Sequence, residues 1–194
     1  MKWNTSEQYN TWVSLLHWLI GAAIVVQLVF GFLIDDIAPR GTPGRAATIN
    51  LHKSFGLVLL ALIGIRLVVR LATTAPPWPA SMSTVQRVAA TTSHRLLYVC
   101  MLVMPASGYM ASNFSKHGLR FFGITLSPWG PDWPSAYNVL SGVHVATAVV
   151  LTALIVVHVA AGLHHGLARD GVFERITLRR RRWGSRRRPL STTS

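Results

Sequence analysis

The sequence predicts an all-α integral membrane protein, a four-helix bundle with both termini on the cytoplasmic side (N-in/C-in). Three observations predict it. Of 194 residues, 51% are hydrophobic and only 13% charged, more apolar surface than a soluble domain of this size buries. Four apolar runs approach or exceed the ~20 residues that a bilayer core demands. The 19 Lys and Arg residues are spread unevenly between those runs, as the cytoplasmic preference of basic residues requires.

The first span, residues 13–34, is interrupted only by His17 and Gln27. It is too long for a cleavable signal peptide and lacks the flanks of one, so it is expected to remain in the mature protein. The second, 51–71, carries His52 and Lys53 at its start and Arg66 and Arg70 at its end, where long side chains snorkel out of the hydrocarbon. The third, 96–114, contains Pro105 and Gly108, and a kink is expected there, which membrane helices tolerate because neighbours satisfy the freed backbone groups. The fourth, 139–167, is the longest and holds four of the eight histidines; its excess length implies tilt or extension past the headgroups.

With the termini inside, the inner face collects Lys2, Arg66, Arg70, Arg87, Arg95 and the nine arginines from Arg169 onward, fourteen in all. The outer face keeps Arg40, Arg45, Lys53, Lys116 and Arg120. Residues 1–176 are read as one transmembrane domain and 177–194 as an Arg-rich cytoplasmic tail, placed beside anionic headgroups. No recognition fold surrounds that tail and it follows directly on a membrane helix, so no nucleic-acid partner is expected. Residues 35–48 and 73–84 are Pro/Gly-punctuated connectors. Residues 115–137 carry Phe121, Phe122, Trp129 and Trp133 and are expected to lie on the outer surface as an aromatic lid. A single cysteine, Cys100, excludes an intrachain disulfide and reads as a packing residue.

The spacing of the histidines points to chemistry. His144 and His158 are fourteen residues apart on one helix, which brings the second imidazole to within ~40° of the first and roughly 21 Å further along the axis. Ionisable groups in the hydrocarbon region are costly and mark functional sites by default. Depth within helices of alternating direction puts His17 level with His158 on the inner side and His52 level with His144 on the outer side. Each level then offers two imidazoles from different helices, which is how bundles build cofactor sites. A bis-His haem at each level accounts for the pattern and suits electron transfer, because both axial positions are filled. Zinc would need all the ligands to converge, which the ~21 Å separation forbids. Taken singly, His17 is an ordinary interfacial residue; the set of four is what argues for ligation. Gly21, Gly31, Gly56, Gly64, Gly142 and Gly162 leave room for a porphyrin or a close helix.

The stretches HWLI at His17, INLHKSFGLVLL at His52, RLVVRL at Arg66, the Arg/Gly/aromatic outer loop, and the HX13H followed by His164-His165 together resemble the prokaryotic cytochrome b561 family, from about Thr11 to Ile176. The resemblance implies a multi-pass protein of the bacterial inner membrane with two b-type haems at His17, His52, His144 and His158. It also implies electron exchange with ubiquinone and, for the closest-looking members, oxidation of superoxide at the outer face. The Arg-rich tail and the rather polar lid do not map onto the family.

Further residues suggest where electrons enter and leave. His165, two turns beyond His158 and within ~20° of its face, would lie near the cytoplasmic headgroups, where a quinone carbonyl needs a donor; otherwise it is an interfacial anchor. The family carries a matching His pair, whose second member fits a quinone contact, while His164 points ~100° away toward the surface. His94 is a second quinone neighbour, a propionate partner, an alternative ligand or simply a polar helix start. Arg66 and Arg70, four residues apart, either pair with haem propionates or serve as ordinary positive-inside residues. Lys53, Lys116 and Arg120 are the outer cations near His52. Lys53 is the best placed to guide an anion such as superoxide, although it also reads as a snorkelling residue, and His117 is expected to be solvated.

The leading expectation is thus a quinone-reducing, superoxide oxidase-like oxidoreductase. The alternative is a haem-b anchor and electron-relay subunit of a periplasmic hydrogenase or dehydrogenase, taking electrons from a donor protein. A transporter or channel is disfavoured by the absence of intramembrane carboxylates.

Overall fold

The computed structural model describes residues 9–79 and 82–177. The Arg-rich tail expected over 177–194 therefore lies, beyond Thr177, outside the described residues, as does Lys2.

Four long helices are each apolar and long enough to cross a membrane: α1 (Thr11–Phe32), α3 (Arg45–Ala72), α4 (Thr84–Asn113) and α5 (Pro134–Ala168), with a single-turn α2 (Ile34–Ile37) after α1. The chain is a multi-pass membrane protein. Three of the four helices begin well before the apolar runs do, because hydropathy marks only the part that sits in hydrocarbon. The polar start of α4 has a local cause: Ser83 and Gln86 form a reciprocal capping box, Gln86 N–H donating to Ser83 Oγ (3.3 Å) and Ser83 N–H to Gln86 Oε1 (2.9 Å), which satisfies two orphan donors. Pro134 opens α5 at its first turn, where its missing N–H costs nothing. Pro105 sits inside α4 without ending it.

One end of the bundle gathers Tyr9 and the segment up to Thr177, the first and last described residues, and the other the lid; they are called here the terminal end and the hairpin end. The lid contains a hairpin that the sequence reading did not include. It folds into strands β1 (Leu119–Phe121) and β2 (Ile124–Leu126), paired antiparallel with Phe121 opposite Ile124. Phe122 (φ 46°) and Gly123 (φ 95°) make the two-residue turn, the geometry whose twist matches that of the strands. The hairpin is anchored on α3. Ser54 Oγ accepts from Phe122 N–H (3.0 Å) and shares its proton between Asn50 O (2.7 Å) and Arg120 O (3.1 Å), while Asn50 Oδ1 accepts from Arg120 N–H (3.0 Å).

At the terminal end a 3-10 turn, Phe173–Ile176, folds back on the bundle. Tyr9 N–H donates to Arg175 O (2.9 Å) and Trp18 Nε1–H to Ile176 O (3.1 Å). The buried Arg175 donates to Pro76 O and lies over the rings of Trp78 (4.8 Å) and Tyr9 (5.4 Å).

The core occupies the middle of the bundle: Ile20, Ile24, Leu28, Leu59, Ile63, Leu97, Cys100, Met104, Ala148 and Leu151. Cys100 is one of its packing residues. Leu151, fully enclosed, stands seven residues from both His144 and His158, so the apolar core lies between the two histidine levels.

Candidate functional site

α1, α3 and α5 carry the four intramembrane histidines, and the structure brings them together in two pairs. The His17 and His158 ring centroids are 6.1 Å apart near the terminal end; those of His52 and His144 are also 6.1 Å apart near the hairpin end. Among the described residues no group of three or more His, Cys, Asp or Glu converges on a metal position. A metal held here must bring most of its own ligands, as iron in a porphyrin does. The spacing fits that group. An imidazole nitrogen lies about 1.2 Å from its ring centroid and binds a first-row metal at about 2.0–2.1 Å. Two rings holding one metal from opposite sides would thus have centroids roughly 6.5 Å apart.

At His144 the ring nitrogens fit as well. His144 Nδ1 lies 2.6 Å from Met104 O, so Nδ1 carries the proton and Nε2 keeps the lone pair that a metal needs, the usual arrangement around ligating histidines. His52 Nδ1 is 3.0 Å from Gln27 Nε2, whose amide also donates to His52 O (2.5 Å). His17 Nδ1 is 3.0 Å from Arg66 Nη2, and the same guanidinium donates through Nη1 to Val13 O (3.2 Å). The Gln27 amide and the Arg66 guanidinium are donors, so Nδ1 of His52 and of His17 accepts, and of these three rings His144 is the one whose Nδ1 donates.

Glycines divide into two groups. A Cβ at Gly31 would stand 3.0 Å from His52 Cε1, and one at Gly108 2.7 Å from His144 Nδ1, so these two make room for the rings themselves. Gly21, Gly64, Gly142 and Gly162 meet nothing within 4 Å and leave space for a larger body. A cavity of about 1850 Å³ runs from Ile24 and Leu151 past His52 and His144 to Lys116 and Arg120, larger than the ~300–1,000 Å³ of an ordinary ligand pocket.

The other residues singled out in the sequence fall around these pairs. His94, exposed on α4, has its ring 5.3 Å from that of His158, closer than a bridged pair. Arg70 donates to Thr73 O (3.4 Å) and lies 5.4 Å from the Tyr9 ring. Lys53 lines the cavity, but its ammonium donates to Gly118 O (3.1 Å) at the start of the hairpin. Arg45, also on the cavity wall, is paired with Asp35 (2.7 Å). Lys116, His117 and Arg120 are exposed. His165 is half-buried with Nδ1 2.5 Å from Asp170 Oδ2, whereas His164 is exposed.

Sequence reasoning missed four of these partners. Gln27 was visible as a polar interruption of an apolar run. Asp170 follows His165 by five residues, beyond the helix end, and returns to it because Arg169 (φ 52°) and Gly171 (φ 89°) turn the chain. Met104 O and the Arg66 to His17 contact left no sequence signal.

Four membrane-crossing helices with facing imidazoles inside, and among the described residues no group of three or more metal-binding side chains, fit the class of membrane cytochromes; Cys100 is the sole cysteine, so a haem here would lack the paired thioether links of a C-x-x-C-H site. Comparison with known proteins agrees. A family model described as prokaryotic cytochrome b561 matches residues 8–178. Cytochrome b561 homolog 2 of Escherichia coli (strain K12) is 28% identical over 179 residues, covering 89% of this chain and 93% of that protein. Cytochrome b561 homolog 1 of the same organism is 24% identical over 172 residues, covering 86% and 94%. The chain belongs to the prokaryotic cytochrome b561 family, whose members are membrane electron-transfer proteins that bind haem b.

Proposed function

We propose that the protein holds two haem b groups, one between His17 and His158 and one between His52 and His144. It passes single electrons along the bundle from a donor at the hairpin end, superoxide, to ubiquinone at the terminal end. The hairpin end faces outward from the bacterial inner membrane and both termini face the cytoplasm. The observation that carries this reading is the recurrence of one ring separation, 6.1 Å, in two independent pairs.

Haem held by these imidazoles would supply a one-electron couple suited to electron transfer rather than to chemistry at the metal. The chain's own groups do the rest. Met104 O fixes the tautomer of His144, and Gln27 and Arg66 hold the Nδ1 sides of His52 and His17. Lys53, Lys116 and Arg120 give the mouth of the hairpin-end cavity one sign of charge, which raises the local concentration of an anion. Because Arg66 is turned to Val13 O and His17, Arg70 is the guanidinium left for a propionate, and His94 is a neighbour of the terminal-end pair rather than a ligand. His165, its Nδ1–H held by Asp170, offers Nε2, which accepts from a quinol hydroxyl while the ring is neutral and donates to a quinone carbonyl once the ring is protonated.

The test is the reduced-minus-oxidised spectrum of the detergent-purified protein with haem counted per chain, followed by superoxide and a ubiquinone analogue. Two low-spin b haems and quinone reduction are expected. Two haems without turnover would shift the assignment to an electron-relay subunit, and fewer than two haems would overturn the pairing.

A further inference from the structure

The terminal end gathers cationic side chains without giving them anions. Arg175, on the 3-10 turn beyond the last span, is only 6% exposed. A guanidinium carries five N–H donors; here Nη2 donates to Pro76 O, and the buried Nε has no partner. Arg70 makes one long hydrogen bond, 3.4 Å to Thr73 O. Both guanidiniums lie 5.4 Å from the centroid of the same ring, that of Tyr9, near enough for Arg70 to repel Arg175. Among the described residues neither forms an ion pair with a carboxylate.

A buried charge is costly unless it is paired and hydrogen-bonded. The faces of Trp78 and Tyr9 compensate Arg175 in part, but they offer Nε no acceptor. Two neighbouring guanidiniums with donors to spare suit a group with anionic oxygens, which they hold by charge-assisted hydrogen bonds. Burial decides its source. A lipid headgroup would have to reach Arg175 through protein, whereas a haem between His17 and His158 would bring its propionate carboxylates from inside the bundle. His94 joins the two regions: its ring is 5.3 Å from that of His158 and lies in the field of Arg70, Arg66 and Arg175. Arg175 is also the knot of the terminal end. Its carbonyl accepts from Tyr9 N–H (2.9 Å), and the next carbonyl, Ile176 O, accepts from the indole of Trp18 (3.1 Å), the residue after His17.

We propose that Arg175 and Arg70 together bind a propionate carboxylate of the terminal-end haem, so that this haem fastens the 3-10 turn onto the bundle and the turn in return retains the haem. The proposal rests on the two-haem reading above and adds to it a residue from beyond the last span. No bond is made or broken: the carboxylate exchanges water for guanidinium donors, and the buried charge of Arg175 gains its counterion. Without that haem Arg175 is left uncompensated, and the segment that carries it opens more readily.

Haem release to apomyoglobin and hydrogen exchange over residues 170–177, both in the full chain in detergent, test it. The terminal-end haem is the one that persists in His144→Ala. Arg175→Gln keeps a donor for Pro76 O but removes the charge; Arg70→Gln leaves the contacts of Arg175 with Pro76 and Trp78 in place. Each should release the terminal-end haem about tenfold faster, the loss expected for a hydrogen bond to a charged group, with the hairpin-end haem unaffected, and Arg175→Lys should release it more slowly than Arg175→Gln. Exchange over 170–177 should quicken in His158→Ala, which lacks the terminal-end haem, and stay as in the native chain in His144→Ala. Unchanged release in both glutamine variants, equal acceleration for the two haems, or native exchange in His158→Ala overturns the proposal and leaves the two-haem reading intact. Protection of 170–177 that follows phosphatidylglycerol against phosphatidylcholine in nanodiscs, rather than haem, assigns the arginines to a headgroup and overturns it as well. A native chain with fewer than two haems overturns both.

Discussion

The sharpest structural test of the hairpin-end site is Gly108→Ala. A methyl group there would sit 2.7 Å from His144 Nδ1 and 2.9 Å from Cε1, closer than carbon and ring atoms approach. Those contacts cannot be relieved by a flexible side-chain tip, because the ring is also held at 2.6 Å by Met104 O, one turn earlier on the same helix. Overpacking of this kind costs about 1–3 kcal/mol, and loosening the ring's hydrogen bond adds about 1 kcal/mol. At ~1.4 kcal/mol per tenfold, the sum weakens haem binding at this level by roughly 30- to 700-fold. Haem per chain, measured in purified protein, should fall from two toward one, with the terminal-end signal intact. Gly44→Ala is the control, since its Cβ meets nothing within 4 Å. A Gly108→Ala protein with both haems and an unaltered spectrum would refute the reasoning that this glycine makes room for a ligating ring.

Ser54→Ala removes the buried hydroxyl that links α3 to the hairpin and should destabilise that docking by about 1–3 kcal/mol, read as faster hydrogen exchange over residues 119–126. Lys53→Gln should slow reduction by superoxide and flatten its dependence on ionic strength, because rim charge acts on the encounter rate; an unchanged salt dependence would remove Lys53 from that role. Burial pushes the Asp170 carboxyl up, but the hydrogen bonds from His165 and from Val172 N–H outweigh it and hold the carboxyl below its usual 3.8. A lowered folded-state value means that the carboxylate stabilises the fold above the unfolded value and loses this contribution as pH falls through the folded one. Thermal unfolding followed down through pH 4 to 3 should therefore show a steeper loss in the native protein than in Asp170→Asn, and parallel curves would count against the pairing.

The four spans were legible because hydropathy is a property of contiguous residues. Helix starts were less so: the connector expected over 73–84 and the span expected over 96–114 leave residues 85–95 unassigned, although Ser83 and Gln86 carry the capping signature that begins α4 there. The hairpin was missed because its strands have three residues each and draw their support from α3, about 65 to 70 residues away in sequence. The level of each histidine followed from its distance to a helix end, and the two rings assigned to each level lie side by side.

Segment length, the basic bias around the spans and the fourteen-residue recurrence of His144 and His158 on one helix are all written along the chain, since each depends on neighbours in sequence or on helical periodicity. The partners of the ring nitrogens are of another kind. Gln27 meets His52 across 25 residues, His144 meets Met104 across 40, and Arg66 meets His17 across 49. Such contacts exist only after the helices have packed, because the rotation of each helix about its axis, set by the whole apolar core, decides which side chain or carbonyl faces each imidazole.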